Sequence, residues 1–176
     1  MPHIHTKPGQ HDHTVSAYII RTDGDEPRVL LHRHKKLHKW MQFGGHIELN
    51  ENPWQAITHE LKEETGYDID QLQIMQPKDR LKHLGSNQLH PTPISYLTHP
   101  FTDEPHYHTD IAFLFVTSQE PRHSIGKDES PQIKLYSHAE VQDLDTYENI
   151  CEIVDFAFDT CLSKWETVDT ALFSRG

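Results

Sequence analysis

The chain of 176 residues carries 16 basic and 27 acidic side chains with 16 histidines, a formal charge of −11 when the histidines are neutral. That length suits one domain with a real core and is short for two. No apolar run approaches the ~18 residues of a membrane span, and so acidic a chain repels a phosphate backbone, so neither a membrane nor a nucleic acid polymer is expected as a partner.

The amino terminus, MPHIHTKPGQHDHT, has no apolar stretch of the kind a secretory signal needs. Residues 1–13 contain His3, His5, His11 and His13 and read as a separate His-rich segment, either a transition-metal tract or a solvated end. A single domain is expected over 14–176. Strands are expected at 15–21 and 28–34, joined by the turn-rich TDGDEP, and at 40–48, where Gly44 and Gly45 interrupt the run. Weaker strand patterns follow at 69–75 and 94–98. The continuous apolar run IAFLFVT at 111–117 reads as a buried strand, and 133–136 as a short last one.

One helix is well punctuated. Asn52 suits the N-cap, Pro53 the first helical position, Gln55 the capping-box partner, and Gly66 the left-handed C-terminal cap. A second helix is expected over 147–165, with Ile150, Ile153, Val154, Ala157, Phe158 and Cys161 on one stripe. Cys151 and Cys161 would then lie ~15 Å apart, too far for a disulfide. Free thiols and no signal sequence point to a cytoplasmic location. Strands mixed with a few helices give an α/β or α+β layered domain.

Winding residues 53–65 as a helix places Trp54, Ile57, Leu61 and Thr65 on a core-facing stripe, with Glu60, Glu63 and Glu64 on the arc beside it. Like charges at these spacings repel, which is tolerable on a solvated face or where divalent cations neutralise them. The run from Gly45, G-HIELN-E-NPWQAIT-H-E-L-K-E-E-T-G-Y, resembles the signature of the Nudix hydrolases. Gly45, Glu51, Glu60, Leu61, Glu63, Glu64 and Gly66 match it in spacing, and Gly44 fits its common Gly-Gly entry. His59 stands where that family has arginine, Tyr67 where it has an aliphatic residue, and Phe43 where proline is frequent.

The resemblance implies a Nudix-like α/β/α sandwich with a mixed β-sheet. It implies Mg²⁺ or Mn²⁺ held by Glu60 and Glu64, with Glu63 assisting and the Gly44 carbonyl joining. Glu60 is the implied catalytic carboxylate, with His59 in the place of the arginine that orients it. The implied reaction is hydrolysis of a diphosphate bond in a nucleoside diphosphate linked to another moiety, by a chain for which a homodimer is a common state in the family. The alternative is a weak or inactive Nudix-like nucleotide-binding sensor. A zinc-protease helix is a poorer fit to HELKE, because Glu63 occupies the place of its second histidine.

Other residues offer substrate contacts. Arg33, Lys35 and Lys39 belong to a basic stretch leading into Gly44–Gly45, which either guides a polyphosphate or forms an ordinary hairpin loop. His106, His108 and Asp110 alternate in HYHTD, so their side chains share one side of a strand. They would supply the further polar group that Nudix proteins often bring from outside the box. The alternatives are a zinc or iron site and a polar edge face. Trp40 and Phe43 either stack on a base or belong to the core.

Overall fold

The computed structural model describes residues 7–100 and 106–174. His3 and His5 lie outside the described residues. Among the described residues nine strands form one sheet: β1 His11–Arg21, β2 Arg28–Arg33, β3 Trp40–Met41, β4 Phe43–His46, β5 Gln73–Gln76, β6 Ser95–Pro100, β7 Tyr107–Thr117, β8 Ile133–Tyr136 and β9 Glu166–Asp169. Its helices are α1 Pro53–Thr65, α2 His138–Val141, α3 Glu148–Phe156 and α4 Leu162–Lys164. A π-helical turn, Ala157–Cys161, joins α3 to α4 without a break.

The central pair, β1 and β7, runs parallel over eleven matched residues, from His11 opposite Tyr107 to Arg21 opposite Thr117. Every other pairing among the described residues is antiparallel. Each central strand changes partner along its length. β1 pairs with β4 over Thr14–Ala17 and with β2 over Ile19–Arg21. β7 pairs with β6 at its start and with β5 near its end. The sheet therefore forks on both sides of the parallel pair, and the gap between β4 and β2 opens beside α1.

Strands covered on both faces need apolar side chains at odd and even positions alike. Val15, Ala17, Ile19, Phe113 and Phe115 pack with Trp54, Ile57 and Leu61 of α1. Tyr18, Ile20, Leu114 and Val116 pack on the other face with Ile150 and Val154 of α3. The result is the three-layer sandwich with a mixed sheet that the sequence implies. Phe43 is fully buried and Trp40 packs edge-on to Tyr136 at 5.1 Å, so both are core aromatics.

Local signals set α1 as expected. The Asn52 side chain accepts from the N–H groups of Trp54 and Gln55, and the Gln55 side chain accepts from the Asn52 N–H. Gly66 adopts φ 77° at the other end, where a side chain would be strained. The long C-terminal helix also lies where expected, with Tyr147 and Trp165 as its caps and both cysteines free.

Three differences have physical causes. β1 begins at His11, earlier than expected, because Asp12 and Thr14 point inward while His11 and His13 point out, a polar pairing that hydropathy does not register. The expected strand at 69–75 is a 3-10 turn, Ile69–Gln71, followed by β5. β9 is short and polar, and it owes its place to pairing with β5. Among the described residues no helix is long and apolar enough to cross a membrane.

Candidate active site

The inner side of α1 carries two buried carboxylates at the fork between β4 and β2. Glu64 Oε2 accepts the Gly44 N–H at 2.7 Å, and its other oxygen lies 3.9 Å from His32 Nδ1. Glu60 lies under Gly45, where a Cβ would meet Glu60 Oε1 at 2.2 Å, so glycine makes room for the carboxylate. Glu60 Oε1 is buried and has no hydrogen-bond partner among the described residues.

Burial pushes the Glu60 carboxyl up to about 7, with His59 opposing and Glu63 and Glu129 adding like charge. Burial likewise takes Glu64 to about 8, against the Gly44 N–H and with help from Glu60, Glu129 and Glu63. His32 cannot neutralise them, because burial and the nearby His34 lower it to about 4 and leave it uncharged at neutral pH. Two buried carboxylates beside an uncharged imidazole are a hard-oxygen donor set suited to Mg²⁺ or Mn²⁺.

Glu63 points outward, half exposed, and pairs with His59 at 3.0 Å. The other ring nitrogen of His59 lies 3.4 Å from Glu51. Burial alone would lower the His59 pKa, but the hydrogen bond to Glu63 and the charges of Glu63, Glu60 and Glu51 outweigh it and raise the value. His59 thus clamps Glu51 to Glu63 and reaches Glu60 only through its charge, a correction to the orienting contact expected from the sequence.

An acid outside the box, Glu129, acts on both carboxylates through its charge. Helix α1 leaves C-terminal carbonyls without helical partners. The Glu63 carbonyl accepts the Gly126 N–H at 2.7 Å, and the Gly66 carbonyl accepts the His123 N–H at 3.0 Å. Tyr67 donates its hydroxyl to the Gln119 carbonyl at 2.7 Å and accepts from Arg21. The aromatic departure at position 67 therefore fastens the segment that carries Glu129. Nothing in its local sequence, KDES, separates Glu129 from the other acids of the chain, and His32 is followed directly by Arg33 and His34 in RVLLHRH, which leaves it equally unmarked.

A cleft of about 300 Å³ lies beside this segment, lined by Arg33, His34, Lys35, His38, Ser130, Pro131 and Gln132. Arg33 and Lys35 thereby lie beside the segment that carries Glu129, and the Lys35 amine donates to the Asp128 carbonyl. Lys39 is turned away: it pairs with Asp145 at 2.5 Å and lies 5.3 Å over the Tyr147 ring. His106, His108 and Asp110 are corrected too. They lie on the sheet face opposite α1, where Asp110 is buried and accepts the hydroxyls of Thr14 and Ser16 at 2.8 and 2.9 Å.

A family model described as the NUDIX domain matches residues 12–154. A curated nudix hydrolase of Caenorhabditis elegans is 34% identical over 67 residues, which cover 36% of this chain and 18% of that protein. The chain thus matches under a fifth of that relative's length. The crystal structure of a NUDIX-family hydrolase from Clostridium perfringens is 34% identical, with a TM-score of 0.66 over 82% of this chain and 97% of that one. A C. elegans Ap4A hydrolase shares the fold at 17% identity, with a TM-score of 0.62 over 86% of this chain and 98% of that one. With the signature lying on α1 and the sheet forked around it, the chain belongs to the NUDIX family.

Proposed function

We propose that this chain is a Mg²⁺- or Mn²⁺-dependent hydrolase of the diphosphate bond in a nucleoside diphosphate linked to another moiety. The observation that carries the reading is the buried pair Glu60 and Glu64 on α1, with Glu60 Oε1 buried and without a hydrogen-bond partner among the described residues. Glu60 and Glu64 would be the main holders of the cation, with Glu63 assisting and the Gly44 carbonyl joining them. When bound, the cation supplies positive charge and Lewis acidity at the diphosphate.

The chain's own groups do the rest. Glu60, with an oxygen that no other described group engages, accepts the proton of the attacking water. His59 holds Glu51 and Glu63 in place, so that α1 presents its acids in one geometry. Arg33 and Lys35 draw the anionic substrate into an otherwise acidic protein and lie beside its phosphates. The family supports hydrolysis, and the Ap4A hydrolase that shares the fold makes a dinucleoside polyphosphate a reasonable first substrate.

The test is a panel of dinucleoside polyphosphates, nucleotide sugars and nucleoside triphosphates incubated with Mg²⁺ or Mn²⁺ in ¹⁸O water, with products identified by mass. Metal-dependent cleavage placing one ¹⁸O on a phosphate product is expected. Tight nucleotide binding without turnover would assign the chain to the sensor class instead, and full turnover in chelator would remove the metal from the mechanism.

A further inference from the structure

A second cluster of ligating groups lies on the sheet face opposite α1 and takes no part in the site above. Asp12 on β1 is the direct cross-strand partner of His108 on β7. His46, the last residue of β4, faces Thr14 two positions along β1. His106 stands two residues before His108. The period-two alternation of strands turns these four side chains to the same face. Asp110 is not among them, because it is held by Thr14 and Ser16.

The group is deeply buried: Asp12 is 1% exposed, His106 1% and His108 8%, and the His46 side chain 11%. One ligand atom from each of Asp12, His46 and His108 lies within 4.8 Å of the others. Individual separations are 3.5 Å from His46 Nε2 to Asp12 Oδ2, 3.9 Å from His106 Nε2 to the same oxygen, and 3.3 Å between the Nε2 atoms of His106 and His108. Ligands at ~2.0–2.1 Å around a tetrahedral ion sit ~3.3–3.4 Å from one another, so a small closure brings Asp12, His46 and His108 to that geometry.

We propose that Asp12, His46 and His108 bind a Zn²⁺ ion as a structural centre, with His106 beside Asp12 and His108. The donor set decides the ion. Two imidazole nitrogens and one carboxylate suit borderline-soft Zn²⁺, whereas Mg²⁺ requires oxygen ligands. The ion would tie β1, β4 and β7 together two residues beyond Gly44, so it would clip the strand that carries the Gly-Gly turn to the centre of the sheet.

The experiment strips the purified protein with chelator, restores Zn²⁺ in the presence of excess Mg²⁺, dialyses, and counts metal by mass spectrometry. One Zn²⁺ per chain is expected to remain, also in Glu64→Gln and in the double variant His3→Gln/His5→Gln. Asp12→Asn and His46→Gln should each lower Zn²⁺ affinity by at least about a hundredfold. Zn²⁺ should raise the Tm of the unaltered protein and not of these two variants. Co²⁺ substituted into the unaltered protein should give the intense visible absorption of a tetrahedral site, a readout that needs no variant to fold. No retained Zn²⁺, retention undiminished in both ligand variants, or loss in Glu64→Gln or in the His3/His5 variant would overturn the assignment.

Discussion

Replacing Glu64 by Gln removes one charge from the buried pair and leaves an amide oxygen that can still accept the Gly44 N–H. In the metal-free protein the Glu64 carboxyl titrates near about 8, against an ordinary value of 4.5. Below 4.5 it is protonated in folded and unfolded chains alike, and its contribution to stability is fully present. As pH rises, the unfolded chain loses the proton first, so stability falls, and the contribution is lost once pH passes about 8. The distance between the two values corresponds to about 5 kcal/mol at full ionisation. Relaxation and the charge shared with Glu60 reduce the expected difference to about 2–4 kcal/mol, or roughly 5–15 °C in Tm for a domain of this size. Thermal unfolding in chelator should therefore show the two proteins similar near pH 5 and Glu64→Gln the more stable near pH 9. Mg²⁺ should restore the parent protein at pH 9 and help the variant much less, while the variant's kcat should fall by at least about a hundredfold. Equal Tm values at pH 9 in chelator would refute the placement of an unneutralised carboxylate at this fork.

Gly45→Ala brings a methyl group against Glu60 Oε1 and should lower kcat by about tenfold or more with a smaller change in KM, checked by steady-state kinetics. Arg33→Ala should raise KM for an anionic substrate several-fold and more strongly at low salt, whereas Lys39→Ala, whose amine is engaged by Asp145, should leave KM unchanged. His59→Arg replaces a clamp that weakens as the imidazole loses its proton by one that is charged at every working pH. Its pH–rate profile at saturating metal should lose the limb that follows loss of the His59 proton, which Glu63, Glu60 and Glu51 shift upward from the ordinary imidazole value. Superimposable profiles would show that the clamp does not govern the rate.

Much of this was written locally. The helix cap at Asn52, the stop at Gly66 and the arc of acids on α1 depend on neighbours within a few residues, and helical periodicity makes such neighbours legible. The same holds for the apolar strand that became β7 and for the stripe of α3. What tertiary structure alone decided is which distant polar groups meet. Glu129 comes to act on the carboxylates through its charge because the Glu63 and Gly66 carbonyls at the end of α1 recruit the N–H groups of residues 126 and 123. Lys39 leaves the site because Asp145, remote in sequence, offers an exposed partner. HYHTD reads as one motif, yet Asp110 goes to the hydroxyls of β1 while the two histidines go to Asp12 and His46. Strand alternation fixes the side on which a residue lies. Sheet order and register, set by packing the whole core, fix which residues it meets there.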